Sequence, residues 1–273
     1  MKYKKIYIFT FGRSDYGWLR NLIIKFDKSK QINSTLIIIG NHFEKKFGYT
    51  FSEIKKDKIK KKKIFKISYS KKKKNNTNIH IANIISMLDK KLKINKSAAI
   101  ILGDRYEAFA TSIFCLNKNI PIIHIGGGSI TLGSNDEFFR NFISKISAMH
   151  FVETAHHKKN LQKMEINKKN IYITGAPSLE NVNKINFVSK RNFLTKLKIQ
   201  NIKKKTIVVT FHPETNLSIN KNLNNLNKLI KALVSLKNLH NVIITYPNAD
   251  AGYTKYIKVI EKLRNINGIY LLK

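Results

Sequence analysis

The chain has 273 residues, 42% of them hydrophobic, which is enough for one large or two ordinary domains with apolar cores and excludes a disordered or fibrous protein. No run approaches the length of a transmembrane helix, and the short apolar stretch after Lys5 leads into Gly12-Arg13, so it reads as a strand and not as a signal peptide. The net charge of +36 rests on lysine, since only six of the 52 basic residues are arginine. Readers of phosphate and base edges lean on the fixed guanidinium fork, and the basic run Lys55–Lys74 carries only Phe65 and Tyr69 as aromatics. A solvated lysine surface is therefore expected, and a nucleic-acid partner is not. The single cysteine, Cys115, lies in an apolar helical stretch and reads as a small buried hydrophobe of a cytoplasmic protein.

Taken in chain order, Lys5–Thr10 is a buried-strand run ending at a glycine turn, with a helix over Tyr16–Lys28 behind it. A second strand follows at Thr35–Ile39, and Lys55–Asn76 reads as a charged surface excursion. Apolar residues at Ile81, Ile84, Ile85, Leu88 and Leu92 predict a helix over Ile79–Leu92. Strands at Ala98–Leu102, Ile120–Ile125, Met149–Val152 and Ile171–Thr174 then alternate with helices at Tyr106–Leu116 and Phe138–Ile146. Such alternation predicts an α/β fold with a doubly wound parallel sheet. The polar stretch Asn181–Asn201 reads as a crossover between domains 1–180 and 181–273. Beyond it come a strand at Thr206–Thr210, a helix at Asn222–Leu239, a strand at Val242–Tyr246, a helix at Lys255–Arg264 and a strand at Gly268–Leu272. Three strands and two helices are too few to bury both faces of a sheet, so the second domain is expected to be incomplete.

Five strand exits carry candidate chemistry. Thr10-Phe11-Gly12-Arg13-Ser14-Asp15-Tyr16-Gly17 sets a glycine turn before a helix start, an arrangement that aims N–H groups and a positive dipole end at an anion, with Arg13 as phosphate partner. Gly103-Asp104-Arg105-Tyr106-Glu107-Ala108 places three charges just past a strand, where open α/β sheets collect ligands, although Asp104 also suits a helix N-cap. His124-Ile125-Gly126-Gly127-Gly128-Ser129 offers glycines that permit close approach of a ligand. Asp136-Glu137 opens the next helix, and Arg140 stands one turn on from Asp136, an ordinary exposed ion pair on its own. Phe211-His212-Pro213 and Tyr246-Pro247-Asn248-Ala249-Asp250 are the corresponding exits of the second domain. The sequence has no P-loop, no nucleophile elbow, and no zinc, haem or iron–sulfur pattern.

In this order, the motifs resemble those of the hydrolysing UDP-N-acetylglucosamine 2-epimerases of sialic and legionaminic acid pathways. The stretches Gly12–Gly17, Gly103–Ala108, Asp136–Ser147, His150–Thr154, Gly175-Ala176-Pro177, Phe211–Pro213 and Tyr246–Asp250 carry the likeness. It implies a glycosyltransferase-B-like fold of two Rossmann-like domains, a nucleotide-sugar substrate, a possible homodimer, and neither metal nor cofactor. By motif match it implies Asp104, Asp136 and His212 as acid/base groups with Glu137 in support. Arg13, Tyr16, Arg105, His124, Gly127, Gly128, Ser129 and Arg140 would face the substrate. A glycosyltransferase of the same fold and a degenerate, inactive member are the alternatives, distinguished by acceptor dependence. Two departures stand out. Ser129 replaces the family's glutamate, and the family's chains run on past the position of Lys273. A form ending there is expected to bind UDP weakly and to leave Ile269-Tyr270-Leu271-Leu272 exposed.

Overall fold

The computed structural model describes residues 5–44, 49–66, 77–92, 96–199, 201, 203–214, 216–247 and 253–272. Strands β1 (Lys5–Thr10), β2 (Ser34–Ile38), β3 (Lys62–Ile64), β4 (Ser97–Leu102), β5 (Ile122–Ile125), β6 (Met149–Val152) and β7 (Ile171–Ile173) form one sheet in the order β3-β2-β1-β4-β5-β6-β7. Every pairing is parallel. The strand order reverses between β1 and β4, which opens a crevice at their carboxyl ends, the place where doubly wound sheets take ligands. Both exits beside it, Gly12-Arg13 and Gly103-Asp104, stem from these two strands.

Alternate residues of β1 go to opposite faces. Ile8 packs with Leu36, Ile38, Ile100 and Leu102 against Tyr16, Leu19 and Ile23 of α1 (Arg13–Lys28). On the other face Phe9 joins Ile37 and Ile101 with Ile84 and Leu88 of α3 (Thr77–Lys91) and Phe114 of α4 (Tyr106–Asn117). Layers on both sides explain why these strands read as continuous apolar runs.

The charged stretch 55–76 is more than an excursion. It holds the end of a short helix, α2 (Phe51–Lys56), then the buried Ile59 and Phe65, and β3 pairs with β2 as the sheet's edge strand. Lysines on an edge strand deter pairing with another chain, so charge and strand are compatible there. Residues 67–76 lie outside the described residues.

Contacts divide the chain into two compact units, Met1–Leu132 with Asp136–Lys184, and Gly133–Asn135 with Ile185–Lys273. The second holds α7 (Lys190–Lys196), β8 (Lys205–Val209), α8 (Ile219–Leu236), β9 (His240–Thr245), α9 (Tyr253–Glu261) and β10 (Ile269–Leu272), with parallel order β10-β9-β8. Leu226, Leu233, Tyr256 and Ile260 of α8 and α9 cover one face through Val242, Ile244 and Ile269. The other face is not bare. Helix α7, inside the stretch read as a polar crossover, sets Leu194 and the following Ile199 against Ile243. The expected exposure of 269–272 is likewise corrected: Ile269 is buried, while Tyr270 and Leu272 pack with the α7 cluster and Leu271 with that of α8 and α9.

Candidate active site

At the end of β1, the Asp15 carboxylate turns back on the strand exit and accepts hydrogen bonds from the Phe11 amide and, at 3.2 Å, the Thr10 hydroxyl. Burial raises its pKa to about 6, against the lowering effect of the Phe11 hydrogen bond and of the Arg105 charge. His42 bridges Thr10 Oγ1 at 3.0 Å and Thr50 Oγ1 at 2.9 Å, and burial, with Arg105's charge, lowers its pKa to about 4. Arg13 stands exposed at the first residue of α1. Tyr16, expected at the substrate, is instead buried, and its hydroxyl donates to Asp57 Oδ2 at 2.6 Å beside Arg20.

At the end of β4, Gly103 has φ 81°, a left-handed turn that glycine adopts without a Cβ clash. Asp104 is not the cap of the next helix; Arg105 occupies that position and makes no side-chain cap. Arg105 forks onto the fully buried Glu107, at 3.1 and 3.0 Å, and Glu107's charge drives the Arg105 pKa upward.

Asp104 meets Arg140 of α5 (Asp136–Ile146), which is only 4% exposed. Arg140 Nε donates to Asp104 Oδ2 at 3.0 Å and Nη2 donates to the same oxygen. Nη1 donates to the Ser129 carbonyl at 2.8 Å and Glu137 Oε2 at 2.9 Å, and Nη2 also to Thr131 Oγ1 at 2.8 Å. All five guanidinium hydrogens are thereby used. The sequence suggested an exposed pair with Asp136, whereas the buried Arg140 joins β4's exit, the loop after β5 and the start of α5. Glu137 completes the link by accepting from the Thr131 amide at 2.6 Å and from Asn141 at 3.1 Å.

The glycines after β5 admit the chain itself, not open space. A Cβ on Gly127 would lie 2.7 Å from Ser144 Oγ and 3.0 Å from His124 Nδ1; one on Gly128, at φ 82°, would lie 2.3 Å from the His157 carbonyl oxygen. His124 is fully buried behind the turn. Its Nε2 lies 2.9 Å from the Gly103 carbonyl, which can only accept, so Nε2 carries the proton and Nδ1 accepts from Ser144 Oγ at 3.1 Å. Burial lowers its pKa to about 4, opposed by that bond to Gly103. A neutral imidazole with both nitrogens engaged shapes the β4 exit from within.

Asp104, Glu137, Arg140, His124 and Ser129 thus form one cluster in the first unit, while Arg13, Tyr16 and Arg105 belong to the neighbouring exits. Asp136 opens α5, and His212 follows β8 in the second unit. Residues 248–250 lie outside the described residues. Among the described residues no group of three or more His, Cys, Asp or Glu side chains could hold a metal ion, and no helix is long and apolar enough to cross a membrane. Thr131 and Ser144 escaped the sequence reading because their contacts span the fold, whereas Glu107 was read among the three charges of this exit but not as the buried partner of Arg105.

A family model described as UDP-N-acetylglucosamine 2-epimerase matches residues 24–273. The polysialic acid biosynthesis protein P7 of Escherichia coli is 31% identical over 91% of the chain and 63% of its own length. The hydrolysing GDP/UDP-N,N'-diacetylbacillosamine 2-epimerase of Campylobacter jejuni is 31% identical over 92% of the chain and 64% of its own. The chain therefore spans under two thirds of these relatives. The crystal structure of the UDP-GlcNAc 2-epimerase from Neisseria meningitidis, bound to UDP-GlcNAc, superposes with a TM-score of 0.80 at 21% identity, covering 98% of this chain and 72% of that one. The fold is accordingly glycosyltransferase-B-like, with two α/β units built on parallel sheets.

Proposed function

The chain belongs to the UDP-N-acetylglucosamine 2-epimerase family, and from that membership we propose a hydrolysing 2-epimerase acting on UDP-N-acetylglucosamine or a 2,4-diacetamido or GDP-linked relative. The observation that carries this reading is the Asp104 carboxylate at the switch point. Arg140 holds its Oδ2, and Oδ1 makes no hydrogen bond among the described residues.

In the proposed reaction a base takes the proton from C2 of the sugar, and its electron pair forms the C1–C2 double bond. The C1–O bond breaks with its electrons leaving on the nucleoside diphosphate, giving a 2-acetamidoglycal. Water then adds its oxygen at C1 while a proton returns to C2 from the opposite face. The products are a free N-acetylmannosamine-type sugar and UDP. Asp104, Asp136 and His212 are the proposed proton carriers, Glu137 supports them, and Arg13 at the start of α1 steadies the departing diphosphate. Tyr16, Arg105, His124, Gly127, Gly128 and Ser129 serve by shaping the exits that present these groups. No metal or cofactor is needed on this route. The reading also places the protein in the cytoplasm and allows a homodimer.

Proton NMR of the purified protein with UDP-N-acetylglucosamine and no acceptor is the direct test. Equal amounts of free N-acetylmannosamine and UDP are expected, with Asp104→Asn and His212→Ala each slowing release by about a hundredfold or more. Turnover that waits for a sugar acceptor would instead identify a glycosyltransferase, and inertness in both assays a degenerate member.

A further inference from the structure

We propose that Arg140 is a positioning residue that turns Asp104 into a one-sided base. This rests on the epimerase reading above and assigns to that site a device its motifs do not display. An arginine fork meeting a carboxylate usually spreads over both oxygens. Here Nε and Nη2 converge on Oδ2 alone, and Oδ1 keeps no hydrogen bond among the described residues. The Asp104 side chain is 27% exposed, against 4% for Arg140, so the open oxygen belongs to the wetter end of the pair.

Charge points the same way. The cluster holds one guanidinium and two carboxylates, a net negative charge. Glu137 is taken up by the Thr131 amide, Arg140 and Asn141, which engage both of its oxygens. The uncompensated lone pairs therefore gather on Asp104 Oδ1. Meanwhile the remaining guanidinium hydrogens hold the Ser129 carbonyl and the Thr131 hydroxyl, so α5 fixes the loop after β5 through the same side chain. Lysine has the charge but only three donors on a single nitrogen, and could not place two on Asp104 Oδ2 while also holding Ser129, Glu137 and Thr131.

Two measurements on the purified protein test this separately from the reaction. In wild type, the Arg140 Nε–H should give a distinct, slowly exchanging nitrogen-15 signal that Asp104→Asn shifts and speeds in exchange, while Thr131→Val leaves it in place. An Nε–H signal unmoved by Asp104→Asn overturns the proposal, whatever the activity. In turnover, Arg140→Lys should lower kcat by about a hundredfold with KM changed less than about threefold. Adding Arg140→Lys to Asp104→Asn should cost nothing further, because both act through one oxygen. Multiplying losses, or a loss confined to KM, would refute the positioning role. If Asp104→Asn retains wild-type turnover, Asp104 is not the base and the proposal falls while the epimerase assignment survives. If the wild-type protein releases no N-acetylmannosamine and UDP, that assignment fails and the Nε–H signal still reports the Arg140 geometry.

Discussion

His42 and His124 are imidazoles that folding keeps neutral, and that fixes a pH window. Each has its pKa lowered from 6.5 to about 4, so the unfolded chain binds protons more readily between those values. Their contribution is complete above pH 6.5 and is lost as pH falls towards 4. A shift of this size is worth on the order of 3 kcal/mol per site. Asp15 runs the opposite way. Its pKa rises from 3.8 to about 6, so its contribution is present below pH 3.8 and is lost as pH climbs through 6. Urea unfolding from pH 4 to 7 should show stability rising with pH overall. His42→Gln should flatten that rise, and Asp15→Asn should steepen it by removing the counter-slope. A His42→Gln profile parallel to wild type would contradict the burial argument.

The loop after β5 shows how an element can depend on single missing atoms. At Gly128 a Cβ would be 2.3 Å from a backbone oxygen that cannot swing aside, at a φ that already disfavours side chains. Gly128→Ala should therefore destabilise by about 3 kcal/mol or more. Gly103 shares the left-handed φ, but a Cβ there would meet nothing within 4 Å, so Gly103→Ala should cost only about 1 kcal/mol of backbone strain. Denaturation midpoints of the two variants side by side give the ranking, and equal losses would mean the loop can move away from His157. On a smaller scale Thr154 Oγ1 caps α6 (Ala155–Lys163) by accepting from the His157 amide at 3.2 Å. Thr154→Ala should cost about 1 kcal/mol in the same measurement.

Across the whole molecule, the charge of +36 is a mutual repulsion that compactness must overcome. Ion pairs such as Lys25–Glu180, Lys118–Asp89 and Lys145–Glu165 are exposed and contribute little. Salt screens the repulsion over about 8–10 Å near physiological strength. Thermal stability should accordingly climb as sodium chloride rises from about 10 to about 150 mM, the reverse of a protein held by surface pairs. Stability that falls with added salt would show the pairs to dominate.

Most of the order of strands and helices could be read directly from the chain, because apolar runs of strand length alternate with 3.6-residue patterns and glycine marks the exits of β1, β4, β5 and β7. Asp104 was legible as a ligand-end residue for the same reason: it follows the last apolar residue of a strand. Helix α7 was not, since only Leu194 and Ile199 are buried there while Ile185, Phe187, Val188 and Phe193 are exposed, and two buried residues set no period. Nor was the strand hidden among lysines at 62–64, which owes its existence to the open edge of β2. Arg140 marks the division most sharply. Sequence spacing ties it to Asp136, one turn away, but its hydrogens reach Asp104, 36 positions distant, and Ser129, 11 distant. Local pattern fixes which elements form, whereas the partner of a buried charge is chosen by whichever elements the folded sheet brings beside it.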